Sequence, residues 1–234
     1  MKTLNQTLLT GLVGLAIIAG TSSAMARGGK AFSKNNQATT KTMTLDKNEQ
    51  AHLMFMREEE KLARDVYLKL GEMYPDSRIF GKIDDSEQKH TMAVKDMIEK
   101  YGFEDPNTND NVGAYTGKDY GEYFTEKYNL LVKRASISEL EALYVGAFIE
   151  ELDMQDINQC PKVIVEADNG INDVSECGKI YTDNADAQKL YGFLLDGSDS
   201  HLAGYVKNIE KYTGKGSYQA QVLPQAEVDK MLGR

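Results

Sequence analysis

Glu87 and His90 stand three residues apart in the stretch SEQKH, residues 86–90, so a helix through them carries a carboxylate and an imidazole one turn apart on one face. The same face runs on through Val94, Met97, Ile98 and Tyr101, an apolar stripe that marks the side turned toward a core. A buried acid beside a buried histidine is costly unless something pairs with them. A metal cation is one such partner, and it would need ligands from other parts of the chain.

Three further segments offer them when each polar residue is placed against the apolar stripe of its own helix. In REEEKLARDVY, Glu59 lies three before Leu62 and four before Ala63, so it is expected to face inward, with Glu58 and Glu60 to either side. In GAFIEELDMQDI, Glu151 follows Phe148 by three and Ala147 by four, which turns Glu150 and Asp153 more sideways. In GSDSHLAGY, His201 precedes Tyr205 by four, and Ser198 sits one turn before His201 on the same face. The expected ligands are therefore Glu59, Glu87, His90, Glu151 and His201, with Ser198, Glu150, Asp153 and Tyr205 beside them. In di-iron carboxylate bundles two helices supply one Glu each and two supply Glu-x-x-His. Here Ser198 stands where the second pair would have its carboxylate. Oxygen-rich ligands with imidazole suit one or two ions of iron or manganese.

Each signal alone has a plainer explanation. A lone Glu-x-x-His is common by chance, a run of Glu is usually a solvated face, and a buried His is usually a hydrogen-bonded core residue. The weight comes from four helices each carrying an inward acid or histidine. His52, seven before Glu59, lies about 10 Å along the axis and reads as structural or as support at the bundle end.

The elements that must position these residues follow from periodicity and punctuation. A first helix is expected over 47–73, N-capped by Asp46 and ended at Tyr74-Pro75. A second should start at Asp84 or Asp85 and end at Tyr101-Gly102. A long crossover follows, rich in turn formers and holding a shorter helix in YGEYFTEKYNLLVKRA. The third long helix opens with a capping box, Ser138 with Glu141. The fourth should span 184–212, and AEVDKMLG should form a short last helix. Residues 160–182, with a β-like KVIVEA and Asn-Gly pairs, are expected to form a hairpin-like insertion closed by a Cys160–Cys177 disulfide. The fold class is thus all-α: a four-helix bundle over 46–214, with one long crossover of the kind ferritin-like folds use, and a tail over 215–234.

In this order, MREEEKLARDVY, SEQKHTMAV, GAFIEELDMQDI and GSDSHLAGY resemble the domain of unknown function 2202 family. The resemblance covers roughly 47–212 and the YQAQVL tail. It implies a ferritin-like bundle and metal binding, and no known reaction. Gly-Ser-x-x-His is typical of the family, so Ser198 belongs to the pattern, and the standard two-metal site is put in question. The segment from Cys160 to about Tyr181 looks like an insertion beyond the usual connection.

The 27 Lys and Arg against 36 Asp and Glu give a formal net charge of -9, which argues against nucleic acid as a partner. Metal ions are the expected partners, with homo-oligomerisation left open. Three functions compete: an exported metal-dependent oxidoreductase of ferroxidase type acting on dioxygen or peroxide, a non-catalytic metal-sequestering or stress-related bundle, and a bundle whose polar cluster is only a hydrogen-bonded network with an interaction role. Residues 1–26 carry Lys2, an apolar run from Leu8 to Gly20 and an Ala24-Met25-Ala26 ending, the pattern of a secretory leader. The run is too short to span a membrane, so the expectation is a periplasmic or extracellular protein without a span, with residues 27–45 as a flexible linker. Mass spectrometry of the exported protein should find Arg27 as its first residue.

Overall fold

The computed structural model describes residues 44–234. The expected leader and nearly all of the expected linker lie outside them. The described residues hold seven α-helices and no strand: α1 Lys47–Met73, α2 Phe80–Lys100, α3 Gly121–Ala135, α4 Glu139–Asn158, α5 Lys162–Glu166, α6 Ala185–Thr213 and α7 Gln225–Met231. None of them is long and apolar enough to cross a membrane. The long helices form a bundle in which α1 packs along α2 and α4 along α6, while α3 lies on α1 and α4.

Local chemistry explains the helix starts. The Asp46 carboxylate accepts from the N–H groups of Asn48 and Glu49, and Glu49 accepts in return from the Asp46 N–H, so two orphan donors are satisfied reciprocally. Ser138 accepts from the Glu141 N–H, but the Glu141 side chain turns to Arg134 rather than completing the box. Asn184 caps α6. The start of α2 differs from expectation: it begins a turn before Asp84, at Phe80, with no side-chain cap. Phe80 is fully buried near the rings of Tyr74 and Tyr205, and that packing holds an extra turn which capping chemistry would not start.

Every residue of α1 from Phe55 to Tyr67 is buried, charged ones included. The outer charges of this stretch hold the crossover against the helix. Arg57 pairs with Asp105 at 3.1 Å and donates to Thr91. Glu58 accepts from the Gly117 N–H at 3.0 Å. Lys61 donates to Asp65 and to the Asn111 carbonyl, Arg64 reaches Asp65 and Asp110, and Asp65 accepts from the Gly113 N–H. Gly117 permits this approach, since a Cβ there would stand 2.3 Å from Glu58 Oε2. Below the crossover, Phe124 of α3 packs on Phe55 and is almost fully buried, a contribution of about 2 kcal/mol.

Residues 160–182 are not hairpin-like. Pro161 starts the short helix α5, a 3-10 turn follows at Val174–Glu176, and the segment contains no strand. The three-residue apolar run Val163–Val165 has no periodicity that separates strand from helix, and Ile164 buries itself equally well from a helical turn. Cys160 and Cys177 are bonded to each other and buried. The bridge ties the end of α4 to the approach to α6, and the segment reaches the start of α1 through Asn48 Nδ2 to the Glu176 carbonyl and Tyr181 to Asp46. Free-thiol titration of unreduced protein should find no reactive thiol. Replacing both cysteines by Ser should lower stability by about 3 kcal/mol, measured by urea unfolding.

Candidate metal centre

Four helices bring acids and imidazoles together in the middle of the bundle. Glu87 and His90 come from α2, Glu60 from α1, Glu150 from α4 and His201 from α6, each at most 9% exposed. They form two trios, Glu60–Glu87–His90 and Glu87–Glu150–His201, and within each trio one ligand atom per residue lies within 4.8 Å of the others. Glu87 belongs to both. Its Oε2 stands 3.0 Å from His90 Nδ1 and its Oε1 2.7 Å from His201 Nδ1. Glu60 Oε2 is 3.4 Å from His90 Nδ1, and Glu150 Oε2 is 3.5 Å from His201 Nδ1.

Close packing holds these side chains. A Cβ on Gly197 of α6 would stand 2.3 Å from His90 Cε1 and 2.4 Å from Nε2, so the His90 ring fits only because that residue is glycine. Phe193 meets the same ring edge-on. Tyr67 of α1 donates to Glu150 Oε1 at 2.5 Å. The Tyr205 ring packs beside Tyr67, and its buried hydroxyl finds no partner among the described residues.

The cluster is electrostatically strained. Burial pushes the Glu87 carboxyl up, but the imidazoles of His201 and His90 overcome it and hold it at about 2. Burial lowers both histidines; for His90 the Glu60 and Glu87 carboxylates, and for His201 those of Glu150 and Glu87, more than offset it, lifting them to about 11 and about 10. Burial raises Glu60 to about 7, with His90 opposing, and raises Glu150 against the pull of His201. Glu60 Oε1 and Oε2, Glu87 Oε1 and His201 Nδ1 find no well-aligned hydrogen-bond partner among the described residues. Buried anionic oxygens and imidazole nitrogens aimed at shared space are a donor set that fits divalent cations.

Two residues expected in this set stand elsewhere. Glu59 faces Asp156 and Asp153 of α4, and burial, then those carboxylates, push it well above the usual range. Glu60 holds the place expected for it. Glu151 is buried on the other side of α4 and is fully satisfied: Oε1 accepts from the Tyr218 hydroxyl at 2.6 Å, and Oε2 accepts from the N–H groups of Gln221, Val222 and Leu223 at 2.8, 2.6 and 2.9 Å. It anchors the YQAQVL segment, and Glu150 takes the inward position. Both displacements have one cause. α1 and α4 are buried on several sides, so an apolar stripe does not single out the direction of the bundle centre. The spacing of Glu60 seven before Tyr67, with Glu150 four after Gly146, was the available signal. Ser198 and Asp153 adjoin the centre and hydrogen-bond each other. His52 binds Tyr191 through Nδ1 and the Asp156 carbonyl through Nε2, both at 2.7 Å, and burial lowers it to about 4; it is a structural link.

A family model described as an uncharacterized protein domain (DUF2202) matches residues 49–233. The chain belongs to this family. Among relatives of this DUF2202 protein, the uncharacterized protein MJ0754 of Methanocaldococcus jannaschii is 36% identical over 188 residues, covering 80% of this chain and 88% of the relative. A crystal structure of that hypothetical protein superposes with a TM-score of 0.67 at 35% identity, over 82% of this chain and 95% of the other. The match reaches past Glu151 into the C-terminal segment which that residue anchors, so the tail is part of the DUF2202 unit.

The Glu151 anchor yields a stability prediction. Glu151→Ala strands buried donors, and losing hydrogen bonds to a charged group costs about 3 kcal/mol. Chemical denaturation should show a loss of that order, together with faster amide exchange at residues 221–223.

Proposed function

We propose that this DUF2202 protein is a ferritin-like helical bundle that holds two divalent cations, iron or manganese, outside the cytoplasm. The observation that carries the reading is Glu87, whose two oxygens face two imidazoles on opposite sides, each backed by a further glutamate. One trio would supply Glu60 and His90 to one ion, the other Glu150 and His201 to the second, with Glu87 shared. Export is supported by the leader pattern of residues 1–26 and by the Cys160–Cys177 bond.

Bound iron or manganese would supply electron transfer to dioxygen or peroxide. The chain's own part is to fix the ligands, exclude water and keep Glu150 oriented through Tyr67. This supports a ferroxidase-like oxidoreductase, with sequestration of the ions as the alternative; turnover of ferrous iron with peroxide separates them.

The binding test is a titration of the metal-free protein with Mn2+. Two ions per chain are expected, one for each trio. Glu87→Ala should abolish binding of both, His90→Ala or His201→Ala should remove one, and Glu59→Gln should leave the count unchanged. With His90 at about 11 and His201 at about 10, both rings are protonated at neutral pH in the metal-free protein. A cation needs them neutral and needs Glu60, raised to about 7, ionised, so uptake at pH 7 should release more than about two protons, and affinity should fall as pH drops. Calorimetry in buffers of different ionisation enthalpy reads this directly; binding without proton release contradicts it.

A further inference from the structure

Helix α6 lacks a carboxylate one turn before its histidine: Ser198 precedes His201 where a Glu-x-x-His pair would have its acid. The opposite helix carries one more acid than it needs. Asp153 lies one turn after Glu150 on α4 and is only 4% exposed. Its Oδ2 accepts from Ser198 Oγ at 2.5 Å, and Ser198 itself is fully buried. Its Oδ1 is buried and finds no partner among the described residues. Asp153 stands one turn from Glu150 on α4 and its partner Ser198 one turn from His201 on α6, so the hydrogen-bonded pair adjoins the Glu87–Glu150–His201 trio, and, after burial, Glu60, Glu150 and Glu87 raise the Asp153 carboxyl. The Ser198 hydroxyl also stands 3.1 Å from the Leu194 carbonyl, which ties it to its own helix.

The geometry points to Asp153 as a further metal ligand of the centre, supplying from α4 the carboxylate absent from position 198 on α6, with Ser198 holding one of its oxygens so that the other is presented to the cation. This inference rests on the two-ion reading above. A shared centre with Glu87 as its only bridging carboxylate leaves each ion with two oxygen-bearing residues and one imidazole. Asp153 would add a hard oxygen donor from α4, one turn from Glu150. Ser198 is then the support that fixes the rotamer of a ligand, a role whose loss costs less than loss of the ligand itself.

Two nearly isosteric changes separate a ligand from a structural residue. Asp153→Asn keeps an oxygen to accept from Ser198 but removes the charge. Ser198→Ala removes the hydrogen bond but leaves the carboxylate. The probe is Mn2+, titrated into each folded, metal-free variant by calorimetry, with the electron paramagnetic resonance spectrum of the bound ion as a second readout. Asp153→Asn should weaken one of the two ions at least about tenfold and alter the spectrum, with a smaller loss in Ser198→Ala. The inference is overturned if Asp153→Asn binds both ions as the parent does, or if Ser198→Ala is the more damaging of the two. Parent protein that takes up no Mn2+, or a Glu87→Ala variant that still takes up two ions, would instead overturn the two-ion reading. As a check that survives misfolding of either single variant, the exchange Asp153→Ser with Ser198→Asp returns the carboxylate to α6 and should restore two-ion binding; a folded exchange variant with one ion counts against Asp153 as a ligand.

Discussion

Charge burial at Glu87 is the constraint around which the bundle is arranged. A carboxylate taken out of water must meet opposite charge or several donors, or it is protonated. Glu87 meets two imidazoles, one from its own helix and one from α6. To bring His201 within reach, α6 must run close to α2, and Gly197 permits that approach against the His90 ring. Glu60 and Glu150 then back the two imidazoles from α1 and α4. The four long helices are therefore held in register by polar contacts at the centre as much as by the apolar residues above and below it. Replacing one partner of such a cluster leaves its neighbours buried and unpaired, which is far more costly than the net worth of the contact.

The same economy of charge runs through α1. Its charged run divides between two directions. Glu59 and Glu60 turn toward α4 and α2, while Arg57, Glu58, Lys61, Arg64 and Asp65 secure residues 105–117 of the crossover. The crossover therefore serves as a wall of the bundle, and it lets a helix with so many ionisable groups be buried along its middle. Glu151 does the corresponding work on the far side of α4, gathering three consecutive backbone N–H groups of the C-terminal segment on one oxygen, an anion-binding arrangement built from the main chain.

The sequence made the helices legible because their punctuation is local: Asp46 and Ser138 cap, and Pro75 and Gly102 interrupt. It also placed Glu87, His90 and His201, because α2 and α6 have one apolar face and one wet face, so the stripe points to the centre. On α1 and α4 the stripe is not a compass. Helices contacted on several sides bury residues all round, and phasing by apolar neighbours chose Glu59 and Glu151 over Glu60 and Glu150. What would have corrected it is tertiary: Glu151 is claimed by a tail seventy residues downstream, and Glu59 by Asp156. The start of α2 and the shape of residues 160–182 were missed for a related reason, since Phe80 and Ile164 take their structure from what they pack against.

One carboxylate serving two trios has a thermodynamic consequence. On the two-ion reading, cations taken up by the two halves would not fill them independently, because the first to bind would fix Glu87 in an orientation the second must accept. If that orientation suits both, the first ion prepays the ordering of the second, and the pair loads cooperatively over a narrow range of free metal. If the ions compete for the shared charge, loading spreads into two steps. Linkage would make the effect mutual, each half changing the affinity of the other by the same factor, so that on this reading occupancy would be a graded or switch-like readout of metal supply according to the stiffness of a single side chain.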